Sequence, residues 1–178
     1  MDYNCNHKEN RREDWGTPPE LIKFLETINK GPFEVDLAAR EDNAVADIFI
    51  DPDVDFLSLG DLQLAELHPY RCWCNPPYGK RGCKEWIQRL LKLPNVTALV
   101  RASVGARWFQ PVFAQADFVV ILARRLKHVG APDAAKFDSA LIINNPSPNF
   151  EQLRSLADLG PVISRHAVVT PWSGRWPL

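Results

Sequence analysis

Long apolar runs are missing from this chain. No stretch of about 18 consecutive apolar residues occurs, so no membrane-spanning helix is expected. Residues 1–14 are polar and charged and lack the apolar core of a secretion signal, so none is expected there. They are expected to form a mobile N-terminal arm, with residues 15–178 making a single domain in the cytoplasm. Internal repeats and low-complexity tracts are absent too, so the fold is not a stack of short units. Cysteine is scarce: Cys5, Cys72, Cys74 and Cys83. In a chain of this size without a secretion signal, free thiols are expected rather than disulfides. Cys72 and Cys74 are separated by one residue, whereas common zinc knuckles use two to four. Cys5 and His7 could complete a metal set only by accident of folding, so no metal is expected.

What remains is an ordinary globular balance. The chain has 178 residues, 46% hydrophobic and 24% charged, enough for one domain with a real core. The net charge of −1 conceals a strong asymmetry. Residues 1–70 hold 6 Lys+Arg against 16 Asp+Glu, a net of −10. Residues 71–130 hold 11 against 2, a net of +9, and residues 131–178 hold 4 of each. The cationic middle block is suited to attract phosphate, or it is surface charge that clusters in sequence alone.

Thr17-Pro18-Pro19 opens a helix, with Thr17 as its expected N-cap, Glu20 completing a capping box, and Leu21, Ile22, Phe24, Leu25 and Ile28 forming one face. Gly31-Pro32 stops it. Phe33–Leu37 is a short strand. Residues 44–50 are ambiguous between helix and strand, and the acidic Asp51–Asp55 segment forms a turn. Arg71–Cys74 is a clear strand, stopped by Asn75-Pro76-Pro77. Residues 83–93 have helical periodicity, Val96–Val100 is a strand, and residues 106–115 are expected to form a helix. Phe118–Ala123 and Ser139–Asn144 are strongly apolar strands, with a last one expected in Val162–Val169. Strands alternating with helices predict an α/β fold with a mainly parallel sheet. Ligands then bind beyond the carboxyl ends of the strands, which directs attention to the segments after Asp36, Ile50, Cys74, Val100 and Ala123.

One of those segments carries distinctive chemistry. In Asn75-Pro76-Pro77-Tyr78, two prolines lock the backbone and remove two N–H donors, leaving fixed carbonyl acceptors. Asn75 adds a side-chain acceptor and Tyr78 a flat π face. An exocyclic amine has its lone pair delocalised into the base ring. Two acceptors gripping its hydrogens favour a more tetrahedral nitrogen, and an aromatic face holds the base in line for attack. A plain proline turn capping a strand is the alternative.

The chain resembles the phage-type DNA adenine methyltransferases related to the Dam group, over roughly Asp14 to Asn145. The similar segments are Asp14-Trp15-Gly16-Thr17-Pro18, Val35-Asp36-Leu37-Ala38-Ala39 with Asn43, Trp73-Cys74-Asn75-Pro76-Pro77-Tyr78-Gly79, Arg101 with Arg107-Trp108-Phe109, Arg124-Arg125-Leu126-Lys127, and Ser139-Ala140-Leu141. The resemblance implies a Rossmann-like S-adenosylmethionine-dependent methyltransferase fold, with a mostly parallel central sheet and helices on both faces. It implies Asn75, Pro76, Pro77 and Tyr78 as the catalytic residues holding adenine. Thr17 and Pro18 would line the methionine end of the cofactor, with Asp36, Ala38 and Ala39 beside it. No Gly-x-Gly loop follows Asp36, a departure from broader methyltransferase patterns. Asp51, Asp53 and Asp55 are candidates for a ribose clamp, or simply a solvated acidic turn.

Arg101, Arg107, Arg124, Arg125 and Lys127 are candidate phosphate contacts in double-stranded DNA. Trp108 and Phe109 are candidates for a second wall of the base site, or else core residues at a helix start. His68, His128 and His166 have no convincing partners, and the reaction needs no histidine base. The expected function is methyl transfer from S-adenosylmethionine to the exocyclic amine of adenine in DNA. Cytosine exocyclic-amine methylation and a nucleic-acid-binding module of methyltransferase fold without catalysis are the alternatives.

Overall fold

The structure is a computed structural model that describes residues 16–77, 82–145, 150–165, 169–170 and 173–178. The expected arm therefore lies outside the described residues. Helix α1 spans Pro19–Asn29 and buries Leu21, Ile22 and Leu25. Burying a side chain of that size stabilises by about 1.5–3 kcal/mol. Its N-cap is Pro18, not Thr17 as expected, and no side-chain cap is made. The reason is local: Pro19 holds the preceding residue in an extended conformation (φ −55°, ψ 126° at Pro18), so helical backbone begins one residue later. At the other end Lys30 takes the left-handed conformation and the Gly31 N–H reaches back to the Glu26 carbonyl at 3.0 Å.

Strand β1 (Val35–Asp36), strand β2 (Ile48–Phe49), a 3-10 turn (Phe56–Ser58), helix α2 (Asp61–Glu66) and strand β3 (Cys72–Cys74) follow. The ambiguous stretch over 44–50 thus resolves as bends that lead into the two-residue strand β2. Helix α3 (Gly82–Leu90) leads to β4 (Val96–Arg101), helix α4 (Gln110–Gln115) and β5 (Phe118–Ile121). Helix α4 begins at Gln110 rather than near Ala106, because the chain from Val104 to Phe109 is spent in successive turns. Strand β6 (Ser139–Asn144), helix α5 (Phe150–Leu156), β7 (Val162–Ser164) and β8 (Val169–Thr170) complete the described elements.

These strands form one sheet in the order β2-β1-β3-β4-β6-β5-β7-β8. The pairs β1–β2, β1–β3 and β3–β4 are parallel, and the remaining four are antiparallel. Only β6 and β7 run against the other strands, so most strands share a direction while the pairings are mixed. The cause is the connection after β5. Residues 122–138 contain no crossover helix, so the chain returns from the edge at which β5 ended and β6 must run antiparallel between β4 and β5.

Both faces are covered. One carries Val35, Leu37, Cys72, Cys74 and Ala98 against Phe56, Leu64, Trp86, Ile87 and Val112 from the 3-10 turn, α2, α3 and α4. The other carries Trp73, Leu99, Val120 and Leu141 against α1 and Leu156 of α5. Alternation along β1 and β3 explains the division, since Trp73 falls on the face opposite its two cysteine neighbours.

Two tight passages sit at the carboxyl edge. Gly160 runs beside the end of β5, where Ala123 donates to the Leu159 carbonyl at 2.9 Å. A Cβ at Gly160 would lie 1.9 Å from the Ile121 carbonyl oxygen, so only glycine fits. Nearby, Val129 donates to the Gly16 carbonyl at 2.8 Å, tying the approach to α1 onto the segment after β5. His128, at 6% exposure, is buried there, and neither ring nitrogen has a hydrogen-bond partner of ordinary geometry among the described residues.

Gly160→Ala is therefore expected to destabilise the fold by about 2–3 kcal/mol, read from the urea midpoint. An unchanged midpoint would contradict the close approach. Burial pushes the His128 imidazole below its ordinary value of 6.5, with the Gly16 backbone pulling the other way. The folded chain then binds fewer protons than the unfolded one as pH falls through 6.5, so stability present above that value is lost toward the lower folded pKa. Between about pH 7.5 and about pH 5.5 the wild type should lose more stability than His128→Gln, which does not titrate there. Equal losses would show that His128 titrates normally.

Candidate active site

The functional side chains are set by where β1 and β3 end. After β1 the chain crosses to β2 on one side, and after β2 it crosses to β3 on the other. The carboxyl ends of β1 and β3 thus flank a topological switch point, where an open α/β sheet forms a crevice. The register aligns Val35 with Cys72 and Asp36 with Trp73, and the Leu37 N–H donates to the Trp73 carbonyl at 2.9 Å. The segment beginning at Leu37 and the one beginning at Asn75 therefore leave adjacent strands at the same edge. Asn75 is half-buried, Pro76 buried and Pro77 exposed. Tyr78 lies outside the described residues.

Asp36 is 3% exposed, and its carboxylate accepts two backbone hydrogen bonds, from Ala38 and from Val45, both at 3.1 Å. Burial raises its pKa, and these two N–H groups work in the opposite direction. The carboxylate is thus the organiser of the 37–45 loop. A second pair closes the same loop: Asn43 Oδ1 accepts from the Arg40 N–H at 2.8 Å, and the Asn43 N–H donates to the Arg40 carbonyl at 3.1 Å. This is how the chain orders its first loop without a Gly-x-Gly turn. Side-chain acceptors at Asp36 and Asn43 satisfy N–H groups that would otherwise need water or a different turn. The spacing of Asn43 three residues after Arg40 was visible in the sequence, but its role as a loop closure was not.

The loop is also fastened to β2. Ile50 donates to the Asp36 carbonyl at 2.8 Å, and Ala39 donates to the Ile50 carbonyl at 3.2 Å. Asp51 follows directly, half-buried, with the Arg40 guanidinium 4.0 Å from its carboxylate and the Asp53 N–H bonded to it at 2.9 Å. Asp53 is exposed. Asp55 has a left-handed backbone (φ 57°) and caps the 3-10 turn by accepting from the Leu57 N–H at 3.1 Å. Asp36, Ala38, Ala39, Asp51, Asn75 and Pro76 are thereby gathered at one edge of three neighbouring strands. Thr17 and Pro18 reach the carboxyl edge by another route, through the Gly16–Val129 bridge to the segment after β5.

The cationic candidates leave the same edge of the sheet. Arg101 ends β4 with Arg107 in the turns beyond it, and Arg124, Arg125 and Lys127 follow β5; all five are exposed. The Arg101 guanidinium stands 5.6 Å from the Phe137 ring centroid and that of Arg124 5.9 Å from the Trp176 ring, which orients both. Arg125 pairs with Asp138 at 3.1 Å between exposed side chains, a contact worth little to stability. Phe109 is different. It is fully buried between the edges of Trp108 and Phe113, so it packs the core and presents no surface to a base. Trp108 is half-buried against the same core.

The two thiols of β3 are buried in the core and inert. Burial raises the Cys72 thiol to about 12, and Cys74 is pushed well above its ordinary range by burial and by Asp36. Among the described residues no group of three His, Cys, Asp or Glu side chains is placed to hold a metal ion, and no helix is long and apolar enough to cross a membrane.

Comparison with curated proteins yields no match. Residues 4–145 match the family described as DNA N-6-adenine-methyltransferase (Dam), which covers most of the chain and every motif from Trp15 to Ser139. The match selects adenine methylation over the cytosine and binding-module alternatives. An α/β sheet covered on both faces, with an Asn-Pro-Pro loop leaving it at the switch point, accords with that assignment: the chain belongs to the Dam family of DNA N-6-adenine methyltransferases, enzymes that use S-adenosylmethionine.

Proposed function

We propose that Asn75 and Pro76 grip the amino group of an adenine turned out of double-stranded DNA, while Asp36, Ala38, Ala39, Asp51 and Asp55 form the cofactor side of the crevice. The single observation that carries this reading is the β1–β3 register, which sets the Leu37 and Asn75 segments side by side at the switch point. The residues suit S-adenosylmethionine. They offer a backbone-lined turn held rigid by Asp36, a carboxylate at the end of β2, and Thr17-Pro18 for the methionine end. When bound, the cofactor supplies an electrophilic methyl group on a positively charged sulfur.

The chain's own residues do the rest. The Asn75 side-chain carbonyl and the Pro76 carbonyl accept the two amino hydrogens, drawing the nitrogen lone pair out of conjugation with the ring. Neither Pro76 nor Pro77 has an N–H, so no backbone donor from either competes for these acceptors. Tyr78 supplies the stacking face, worth about 1–3 kcal/mol against the cost of unpairing the base. The amine loses one proton after transfer, which requires no dedicated base. Asp51 is the acid best placed to accept from ribose hydroxyls, because Asp53 is exposed and Asp55 already caps a turn. Arg101, Arg107, Arg124, Arg125 and Lys127 contact phosphates, and binding weakens with salt accordingly.

Duplex DNA incubated with labelled S-adenosylmethionine, then digested, should yield N6-methyl-2′-deoxyadenosine as its modified nucleoside. Asn75→Ala should lower transfer by about 10²–10³-fold while leaving cofactor affinity nearly intact. Equal loss of both would make the loop structural. Asp51→Asn should do the reverse, weakening cofactor binding in calorimetry with less effect on turnover at saturation. An unaltered affinity would move the ribose clamp elsewhere.

A further inference from the structure

The segment from Asp55 to Leu59 is mounted on helix α3 rather than on the sheet. Arg89, on the last turn of α3, donates to the Leu57 carbonyl through Nε at 3.1 Å and through Nη2 at 2.7 Å, and Nη2 also reaches the Leu59 carbonyl. One turn earlier, Trp86 stacks on Phe56 with ring centroids 5.3 Å apart and planes 18° apart. Phe56 and Trp86 are both buried. Two independent contacts thus fasten the short turn to the helix, one by ring stacking and one by a guanidinium fork that spans two backbone carbonyls. Asp55 immediately precedes this turn, in a left-handed conformation that a non-glycine residue adopts only when its surroundings hold it there. Helix α3 in turn is the element that follows the Asn75-Pro76-Pro77-Tyr78 loop in the chain.

We infer that Arg89 is a positioning residue for cofactor binding. It fixes the backbone on which Asp55 sits and ties the cofactor side of the crevice to the helix that follows the adenine-gripping loop in the chain. The inference rests on the proposed reading that the Asp51–Asp55 turn faces the cofactor. Arg89 touches neither reactant. Its loss frees the 55–59 turn to shift relative to α3, so the effect falls on cofactor affinity before it falls on the chemical step. Lysine, with one compact ammonium in place of a planar fork, reaches one carbonyl at a time and restores only part of the constraint.

The test compares wild type, Arg89→Ala, Arg89→Lys and Asp55→Asn in the full chain. The KM for S-adenosylmethionine, kcat at saturating cofactor and DNA, and thermal midpoint are each measured. Arg89→Ala is expected to raise that KM by about tenfold with kcat changed less than about twofold, and Arg89→Lys to fall between it and wild type. A lowered thermal midpoint with an unchanged KM overturns the inference and leaves Arg89 a structural clamp only. If Arg89→Ala does not fold, Arg89→Lys decides: a raised KM supports the inference and a wild-type KM overturns it. Asp55→Asn separates the two layers. A raised KM for Arg89→Ala with an unaffected Asp55→Asn keeps Arg89 as a positioning residue but removes Asp55 from the cofactor. An effect of Asp55→Asn alone preserves the proposed site and removes Arg89.

Discussion

Two residues of β1 lie against β3 in parallel register, and the arrangement of the active site follows from that short ladder. Val35–Asp36 pairs on one side with Ile48–Phe49 and on the other with Cys72–Trp73. Because the chain leaves β1 towards β2 on one side and leaves β3 towards β4 on the other, the segments after β1 and β3 diverge and leave a crevice. A slip of one residue in either pairing would turn Asp36 into the opposite face of the sheet and withdraw its carboxylate from the Ala38 and Val45 amides. The strands are too short to specify register through their own hydrogen bonds. The two packed faces specify it instead, since Val35, Leu37, Cys72 and Cys74 must all enter one core while Trp73 enters the other.

Around that ladder the site is built from backbone held by side chains. Asp36 and Asn43 close the first loop, Asp55 caps the next turn, and Arg89 clasps the same turn from α3. The Asn75 loop is stiffened differently, by two prolines whose rings restrict the backbone. Both devices serve one end. Methyl transfer between two bound reactants depends on alignment more than on acid–base chemistry, and in the proposed site a rigid Asn75-Pro76 segment serves that alignment. The inert thiols of Cys72 and Cys74 fit this picture, since they fill space beneath the crevice and bring no reactivity to it.

The acidic Asp51–Asp55 turn and five cations from the middle of the chain occupy different places on one edge. The acidic turn from Asp51 to Asp55 lies by β2, while Arg101, Arg107, Arg124, Arg125 and Lys127 emerge beyond β4 and β5. Charge clustered along the sequence becomes charge clustered along an edge because consecutive parallel strands deliver their trailing segments to the same side. Phe109 shows the limit of that inference. It sits among these basic residues in sequence, yet it is buried, because the turn before α4 points it inward to meet Phe113.

The sequence by itself determined most strand segments, the family motifs, Asn75-Pro76-Pro77 among them, and the α/β class, but the single strand expected over Val162–Val169 is two antiparallel strands, β7 and β8. Apolar runs, turn residues and missing N–H groups are short-range properties that a local reading captures. It could not determine strand direction or adjacency. Ser139–Asn144 is apolar on both faces, so nothing in its pattern says that β6 runs against β4 and β5; the missing crossover helix between residues 122 and 138 decides that. Thr17 looked like an N-cap until Pro19 held Pro18 extended and moved the helix start. Nothing in the local sequence marks Arg89, and only the packing of α3 brings its guanidinium to the Leu57 and Leu59 carbonyls. Such contacts depend on which elements become neighbours, and that is settled by the burial of two apolar faces across the whole sheet rather than by any residue's own preference.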